Sequence, residues 1–347
     1  MVAALLSAVM ITSGCSGGET ATLPGKSPAP SAAPSSPAPP PEITLAFAGD
    51  VHFAGRTYNL LNQDPDTAFG PIAAELSKVD LAVANLETAV TDGGTPEPKQ
   101  FRFRSPATSY QAVKAAGIDA VSLANNHALD YGRDGLADTL RHASEAGVPA
   151  IGAGEDADAA YAPWISDVRG AKVAVLGMSQ INELSERWAA GDDRSGLAMA
   201  HDVKRAAKAV RDARKQADVV IVFMHWGLEG NECPTERMRT LAKAFADAGA
   251  TAVIGAHSHL LQGDGWLGKT YVAYGLGNFL WWRDNAHSND TGVLRLTLRG
   301  AELTGAELAP ARISHTGQPL LVEGDEATRI QKKFAGLRGC AGLADAP

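Results

Sequence analysis

The feature that most constrains the fold is a repeated order of short apolar runs separated by amphipathic stretches, which continues through the chain after Pro41. Runs of this length are typical of strands buried on both faces, and the stretches between them are typical of helices that cover a sheet. The pattern therefore predicts an α/β fold. The apolar runs are Ile43–Ala48, Leu81–Ala84, Ala120–Ala124, Val173–Leu176, Val219–Met224, Thr251–Ile254 and Tyr271–Tyr274.

Helices are predicted at Gly135–Ala146, Asp202–Gln216 and Thr235–Ala248. The third of these begins at a Thr that follows a Pro and ends before Gly249, which are ordinary start and stop residues for a helix. A later run, Gly292–Leu298, alternates apolar and polar residues. That alternation predicts a strand at a sheet edge or on a second sheet.

Polar residues that commonly ligate metals follow five of the predicted strands. Open α/β sheets place their sites at the carboxyl ends of the strands, so these side chains are expected to converge. Five of the nine histidines fall at these positions. The residues concerned are Asp50 and His52, Asn85 and Glu87, Asn125 to His127, His225, and His257 with His259.

This convergence predicts a metal centre. A single histidine at a strand end is more often a hydrogen-bonded structural residue than a ligand. Burying ionisable groups from five strand ends together costs several kcal/mol unless something compensates, and a pair of divalent cations would compensate. Carboxylate, amide and imidazole ligands without thiolate suit Mn, Fe or Zn.

The motifs at these strand ends also resemble those of a known family. They are Gly49-Asp50-Val51, Asn85-Leu86-Glu87, Ala124-Asn125-Asn126-His127 with Asp130 and Gly132, His225-Trp226-Gly227-Leu228-Glu229, Gly255-Ala256-His257-Ser258-His259 and Leu276-Gly277-Asn278-Phe279. Their order is similar to that of the calcineurin-like metallophosphoesterases. Their particular residues resemble the CapA, or capsule synthesis, family associated with poly-γ-glutamate. The resemblance covers about residues 43–282, whereas no motif is matched in residues 283–347.

The resemblance implies a four-layer αββα sandwich with two metal ions at the strand ends. Glu87 is expected to bridge the ions because it supplies charge, although the spacing of its motif leaves Asn85 as an alternative. His127 is expected to be an outer-sphere group that donates a proton or stabilises developing charge. The resemblance assigns one ion to Asp50, His52 and His259, and the other to Asn126, His225 and His257.

Several residues beside the predicted centre are candidates for binding substrate. Trp226 would line a groove together with Trp281 and Trp282, or pack in the core. Arg56 would hold a polyanion by bidentate contacts, or lie solvated at the surface. The full set of candidates is Asn85, Asn125, Arg56, Trp226, Glu229 and Asn278.

The N-terminal residues predict an export signal and an anchor. Val2 to Gly14 carry no charge and are mostly apolar or small, and they lead directly to Cys15. This pattern is typical of a lipoprotein signal peptide over residues 1–15 with Cys15 as the lipid-carrying residue. Eight prolines among the 18 residues Pro24–Pro41 predict an extended tether over residues 16–41. The folded domain is expected over residues 42–347, extracytoplasmic and held at the bacterial cell membrane.

Two further expectations follow from charge and compartment. Lys and Arg number 31 against 39 Asp and Glu, a net charge of −8, which disfavours nucleic acid as a partner. Outside the reducing cytosol, Cys233 and Cys340 are free to form a disulfide.

The function expected from these residues and the resemblance is metal-dependent hydrolysis or transfer. The substrate would be a phosphoester or a γ-glutamyl amide, in the synthesis, export or anchoring of an anionic capsular polymer. The alternative is a non-catalytic protein that binds the polymer or membrane subunits of a capsule synthesis and export complex. The retained His and Asp residues favour the first function, and the changed motif at Asn85-Leu86-Glu87 favours the second.

Overall fold

Two large β-sheets form the centre of the fold, and each apolar run predicted as a strand lies in one of them. The structure, a computed structural model, describes residues 14–15, 17–18 and 40–347. The strands in this part of the chain are β1 (Glu42–Val51), β2 (Leu81–Leu86), β3 (Ala89–Val90), β4 (Arg104–Ser105), β5 (Ala120–Ser122), β6 (Ala150–Ile151), β7 (Ala153–Gly154), β8 (Trp164–Val168), β9 (Ala171–Ser179), β10 (Gly196–Leu197), β11 (Val219–His225), β12 (Ala252–Ala256), β13 (Leu261–Leu267), β14 (Thr270–Leu276), β15 (Asn278–Leu280), β16 (Asp290–Arg299), β17 (Glu302–Ile313) and β18 (Pro319–Leu321).

The helices lie between these strands in sequence. They are α1 (Arg56–Gln63), α2 (Ala73–Ser77), α3 (Thr108–Ala115), α4 (Gly132–Ala146), α5 (Ala157–Tyr161), α6 (Ser185–Trp188), α7 (Val203–Arg214), α8 (Glu236–Asp247), α9 (Gly324–Gly336) and α10 (Arg338–Ala341), with short 3₁₀ turns at Pro65–Thr67 and Gly70–Ile72. All three helices predicted from the sequence are confirmed. Asp202 and Thr235 cap α7 and α8 by accepting hydrogen bonds from backbone N–H groups of the first turn.

The first sheet has the strand order β18-β17-β16-β1-β2-β5-β6, with β15 beside β1. The second sheet has the order β13-β14-β12-β11-β9-β8. In the first sheet, neighbouring strands run parallel in the series β1, β2, β5 and β6. In the second sheet, neighbouring strands run parallel in the series β9, β11, β12 and β14. Each sheet therefore brings several carboxyl strand ends to a single edge.

Alternate side chains of the central strands face different layers. In β11, Val219, Ile221 and Phe223 pack between the two sheets, whereas Val220 and Val222 pack against α7 and α8. Strand β1 shows the same alternation between the central layer and the layer covered by α1 to α4. The predicted α/β class and the four-layer αββα arrangement are confirmed.

Gly292–Leu298 forms a strand as predicted, but the predicted position of that strand is wrong. These residues form β16, which lies inside the first sheet between β1 and β17 rather than at an edge or on a second sheet. Arg295 and Thr297 are half-buried, whereas Leu294, Leu296 and Leu298 on the other face are buried in the central layer. The alternation of apolar and polar residues therefore reflects the partial exposure of one face of β16. Residues 283–347, which matched no motif, supply β16 to β18, α9 and α10 to the unit Pro40–Pro347.

The C-terminal residues are fastened beside the loop that follows β11. The structure joins Cys233 to Cys340 in a disulfide that spans 107 residues. Lys333 forms an ion pair with Glu232 at 2.9 Å, and the Arg239 side chain donates to the backbone oxygen of Cys340 at 2.6 Å. This loop leads directly away from His225, so these contacts fix one side of the predicted centre.

The N-terminal predictions lie almost entirely outside the described residues. Cys15 is described and is exposed, while the signal peptide and the tether remain predictions. Among the residues that the structure describes, no helix has the length and apolar character needed to cross a membrane.

Candidate metal centre

The two sheets present their ligand-type residues to each other at one edge. Asp50 in β1 lies opposite Asn85 in β2 and Asn278 in β15. His225 is the last residue of β11, and His257 and His259 follow β12 directly. The structure therefore brings together residues that are more than 200 positions apart in the sequence.

Glycines beside two of these residues allow neighbouring backbone to approach closely. A Cβ on Gly49 would lie 1.9 Å from the backbone oxygen of Gly277, and one on Gly255 would lie 1.9 Å from that of Tyr274. Gly49 also lies at a register shift between β1 and β2. Irregularities of this kind re-aim side chains next to active sites, and this one turns Asp50 toward the centre.

The loop after β12 adopts an unusual backbone conformation. His257 and His259 have φ values of 92° and 58°, in a region that non-glycine residues rarely occupy. Asp50 Oδ2 accepts a hydrogen bond from the His257 N–H at 3.3 Å and lies 3.0 Å from His259 Nδ1. The carboxylate thus holds both histidines in a strained conformation of the type found at functional sites.

Two groups of side chains have the geometry of a cation site. Their ligand atoms lie within 4.8 Å of one another, in one group formed by Asp50, Glu87 and His259 and another formed by Glu87, His225 and His257. Glu87 belongs to both groups, which fits the bridging position predicted for it. His52 Nε2 lies 3.3 Å from Glu87, and Asn126 Oδ1 lies 2.7 Å from His225 Nε2. The ion held by each residue stays a prediction.

The pKa values of the two carboxylates, Asp50 and Glu87, are shifted in opposite directions. Burial and the neighbouring Asp50 raise the pKa of Glu87 well above its usual range. Burial also raises the pKa of Asp50, but the hydrogen bond and charge of His259 outweigh burial, so that this pKa lies below its ordinary value. A cation between the carboxylates would remove the repulsion that Glu87 experiences.

Four histidines of the centre are in the protonation state that ligates metals. Burial lowers the pKa values of His52, His127 and His225 well below the ordinary range, and it lowers that of His257 to about 3. Their imidazoles are therefore neutral near pH 7. Both ring nitrogens of buried His52 lack a hydrogen-bond partner among the described residues. A donor set of carboxylates, imidazoles and an amide oxygen fits a divalent cation.

His127 lies beside the ligands and is held by a pair of charged residues. Its Nδ1 is 2.6 Å from Asp130 Oδ2, and its Nε2 is 4.0 Å from Glu87. Burial raises the pKa of Asp130 to about 6 although Lys99 opposes the shift. Lys99 Nζ lies 2.7 Å from Asp130 and 3.2 Å from Glu183, and it donates to the backbone oxygen of Asn126.

Sequence reasoning missed Lys99. It lies in an irregular segment before β4, and its side chain is buried beside Asp130 and Glu183. No pattern in the sequence marks this lysine as carrying an inward-facing ammonium group.

Three predicted substrate-binding residues prove to be supporting residues. Asn85 and Asn125 are fully buried, and Asn125 Nδ2 donates to Asn85 Oδ1 at 3.1 Å. Asn85 Nδ2 in turn donates to Asp50 at 2.8 Å and lies 3.2 Å from His225 Nδ1. Trp226 is also fully buried, and its Nε1 donates to the backbone oxygen of Tyr274 at 2.8 Å. These side chains orient ligands or fill the core instead of facing substrate.

Arg56 also differs from its prediction. Its guanidinium donates to the backbone oxygens of Trp281 at 3.0 Å, Arg283 at 2.6 Å and His315 at 3.1 Å. The side chain therefore fixes the segment after β15, and it does not hold a polyanion directly.

Two cavities open beside the centre. One of about 330 Å³, here called the aromatic cavity, is lined by Phe101, Phe103, Trp281 and Trp282 next to the rings of His52 and His259. The other, of about 620 Å³, lies on the side of Asn126 and His257. Of the remaining substrate candidates, Glu229 lines both cavities and Asn278 lines the aromatic cavity.

The arrangement of the two sheets is a metallophosphoesterase-type fold. Among solved structures, a phosphatase from Mycoplasma pneumoniae matches with a TM-score of 0.50 and 13% identity over 84% of this chain and 97% of its own. A hypothetical protein from Thermus thermophilus matches with a TM-score of 0.50 and 17% identity over 77% and 98% of the two chains. At these identities the likeness establishes the fold.

The sequence comparisons define the family more closely. The chain belongs to the family described as bacterial capsule synthesis protein PGA_cap, which matches residues 44–281. It is 29% identical to the capsule biosynthesis protein CapA of Bacillus anthracis over 84% of this chain and 73% of that protein. It is 28% identical to the PGA biosynthesis protein CapA of Bacillus subtilis over 82% and 74% of the two chains. The resemblance inferred from the motifs is confirmed.

Proposed function

We propose that this protein is a metal-dependent hydrolase or transferase that acts in the synthesis, export or anchoring of an anionic capsular polymer. The biological context comes from relatives named for capsule and PGA biosynthesis. The chemical part rests on one observation: buried Glu87 is common to both ligand groups, and His127 faces it. The substrate would be a phosphoester or a γ-glutamyl amide.

Two divalent cations, Mn, Fe or Zn, would be held by the side chains of the centre. Bound there, they would supply Lewis acidity to a phosphoryl or acyl group. Glu87 would lie between them. Asp50, His52 and His259 would complete one position, and Asn126, His225 and His257 the other.

The chain's own residues would position and move a proton. With Nδ1 of His127 donating to Asp130, which lies 2.6 Å away, the lone pair of Nε2 would lie on the side of Glu87. Lys99 holds Asp130 in place by a contact of 2.7 Å. In this arrangement His127 Nε2 takes a proton from the attacking group or, once protonated, gives it to the leaving group.

Metal analysis of the purified chain, paired with turnover assays, tests this proposal. We expect about two equivalents of divalent metal and hydrolysis of either a phosphodiester or a γ-linked glutamate polymer. Treatment with a chelator should abolish turnover, and adding back the metal should restore it. Retention of no metal under gentle purification would show that the centre has been misinterpreted.

A non-catalytic role is the second candidate, and Asn85 favours it. This amide lies opposite Asp50 in the register, where a carboxylate would add a further charged ligand. Such a protein would bind polymer or membrane subunits of a capsule complex through the same cavities. It would bind metal without turnover, and a His127→Ala variant would still support polymer production in cells.

We further propose that the protein is a lipoprotein held at the membrane through Cys15. The apolar run that ends at Cys15 and the proline-rich residues after it support this. A Cys15→Ser variant should move from the membrane fraction to the soluble extracytoplasmic fraction. Membrane association without any lipid label on the parent protein would contradict the anchor.

A further inference from the structure

Two ion pairs join the segment before β4 to the segment that contains α6. Lys99 Nζ lies 3.2 Å from Glu183 Oε2, and Arg187 Nη2 lies 2.9 Å from Glu97 Oε2. The first segment contacts the loop after β5 of the first sheet, whereas the second segment follows β9 of the second sheet. The two ion pairs therefore connect loops of the two sheets beside the centre, and they do so with opposite polarity.

The two ion pairs differ in their surroundings. The side chain of Lys99 is only 2% exposed, and its ammonium group contacts Asp130 and donates to the backbone oxygen of Asn126. The Arg187 side chain is 58% exposed, and among the described residues it forms no hydrogen bond or ion pair with a predicted ligand. A buried ammonium group is costly unless carboxylates and hydrogen-bond acceptors compensate for it. The groups that compensate for Lys99 belong to the turn Asn126–Asp130, so the lysine and this turn hold each other in place.

Glu183 contacts the side chain of the predicted ligand Asn126. Its Oε2 accepts a hydrogen bond of 3.5 Å from Asn126 Nδ2, while Asn126 Oδ1 lies 2.7 Å from His225 Nε2. A carboxylate only accepts hydrogen bonds, so it holds the amide with its nitrogen outward and its oxygen toward the centre. With the amide turned the other way, the nitrogen would face the ion and offer it no lone pair.

The backbone beside Glu183 has an uncommon conformation. Leu184 has a φ of 52°, in the left-handed region that residues other than glycine rarely adopt. Conformations of this kind persist only where surrounding contacts enforce them. Trp188 at the end of α6 provides such a contact, since it belongs to the same buried apolar cluster as Leu86 of β2. Packing of the segment therefore places Glu183 opposite Lys99.

We propose that Lys99 and Glu183 are positioning residues, which fix Asn126 as a ligand and His127 as a proton carrier. Lys99 holds the backbone oxygen of Asn126 and, through Asp130, the ring of His127. Glu183 balances the charge of Lys99 and turns the amide of Asn126. The pair therefore governs the ion position to which Asn126 belongs, and not the other position. The inference rests on the two-ion centre of the proposed function.

Two double variants of the full-length protein test this proposal. Lys99→Met with Glu183→Leu removes one cation and one anion, so the net charge beside the centre is unchanged and a change in metal affinity reports positioning. Arg187→Met with Glu97→Leu is the matched control, because it removes the other ion pair between the same two segments. Calorimetric titration of the metal-free proteins with Mn²⁺ measures the stoichiometry and the affinity of each ion.

The expected result is a selective loss of affinity. The Lys99/Glu183 variant should bind one ion about 10–100-fold more weakly, the usual loss when groups that orient a ligand are removed. It should bind the other ion as the parent does, and the control should bind both ions as the parent does. A general structural role would weaken both ions together or make the two double variants alike. Either result would overturn the proposal.

A single substitution keeps the proposal testable if loss of the buried lysine prevents folding. The Glu183 side chain is 43% exposed, so Glu183→Ala leaves the core intact. It should weaken the same ion by about two- to tenfold, the contribution of one hydrogen bond. Glu186→Ala, at an exposed position on α6, should leave both ions unchanged. Unchanged affinity for both ions in Glu183→Ala would overturn the role of Glu183.

Hydrogen exchange of the metal-free protein separates this inference from the proposed function. The backbone N–H of His127 donates to Asn125 Oδ1 at 3.0 Å in the turn that Lys99 holds. The Lys99/Glu183 variant should exchange this hydrogen at least about tenfold faster than the parent, whereas the control should not. If the parent binds no metal but exchange differs as expected, the two-ion proposal fails and the positioning of the turn stands. If the parent and the Lys99/Glu183 variant bind both ions equally well, the inference fails and the centre stands.

Discussion

The two sheets contribute different chemistry to the same centre. The first sheet and its loops supply both carboxylates, Asp50 and Glu87, whereas the second supplies imidazoles from His225, His257 and His259. The first sheet therefore provides the negative charge that would balance a cation. The second completes the coordination with imidazole nitrogens. Substitutions that remove charge should consequently cost more than substitutions that remove one imidazole.

The largest effect is expected for Glu87→Gln in the first sheet. The change removes the carboxylate common to both ligand groups while keeping the size of the side chain. Affinity for metal should fall roughly 10²–10³-fold or more, the usual scale for breaking a buried charge pair, and turnover should fall with it. Metal titration by calorimetry measures the change. Glu145→Gln, at an exposed position on α4, is the control. Unchanged metal content would exclude Glu87 as the bridge.

The next largest effect is expected for a substitution of His127, which should lower the rate of the reaction without lowering the metal content. His127→Ala removes the group held by Asp130 but none of the predicted ligands. Metal content should stay nearly constant while the rate falls about 10²–10⁴-fold, the typical contribution of a positioned acid or base. His142→Ala, at a half-buried position on α4, should change neither. Parallel loss of metal and rate would make His127 a ligand.

A smaller effect on metal binding is expected for His257→Ala in the second sheet. The substitution removes one neutral ligand and leaves both carboxylates in place. Affinity should fall by at least the roughly 10–100-fold seen when groups that merely orient a ligand are lost, yet by less than in Glu87→Gln. The comparison uses the same titration for both variants. A larger loss from His257→Ala would reverse the division of roles between the sheets.

The smallest effect concerns Asp80, which links the sheets by hydrogen bonds to Thr44 at 2.8 Å and Arg169 at 2.6 Å. Burial raises the pKa of Asp80, but these bonds outweigh it and hold the pKa below the ordinary value of 3.8. The contribution to stability is therefore complete above about pH 4 and is lost as the pH falls through the lower folded-state pKa.

Asp80→Asn should lower the free energy of unfolding by about 1 kcal/mol at pH 7, because the ion pair with Arg169 is partly exposed. The difference in the free energy of unfolding between variant and parent should shrink on acidification. Urea unfolding at pH 7 and at a pH below about 4 measures this difference. Asp192→Asn, at an exposed loop position, should show no such difference. A loss that grows on acidification would contradict the assigned pKa direction.

The layers of the fold were predictable because burial on both faces leaves a direct mark on the sequence. Runs such as Val219–Met224 are apolar at every position, which is typical of strands covered on both faces. The location of β16 was not predictable. Half-burial of Arg295 and Thr297 gives the same alternation as an edge strand, and the sequence does not record which strands flank it.

The centre was predictable to the extent that strand ends converge in an α/β fold. That rule places Asp50, Glu87 and His225 together, but it does not distinguish a groove residue from a core residue at the same edge. Trp226 adjoins His225 yet points into the core, because side chains of an extended segment alternate in direction. Lys99 lies in an irregular segment, where only its packed partners reveal that its ammonium group is buried.

The disulfide between Cys233 and Cys340 affects how the protein responds to proteolytic cleavage. Strands β12 to β17, together with His257, His259 and Asn278, all lie within the covalent ring that this bond closes. A single cut anywhere inside the ring opens it without releasing a fragment. The two pieces stay joined and packed against the same sheets, so a nicked chain should keep its centre assembled until a second cut is made or the bond is reduced.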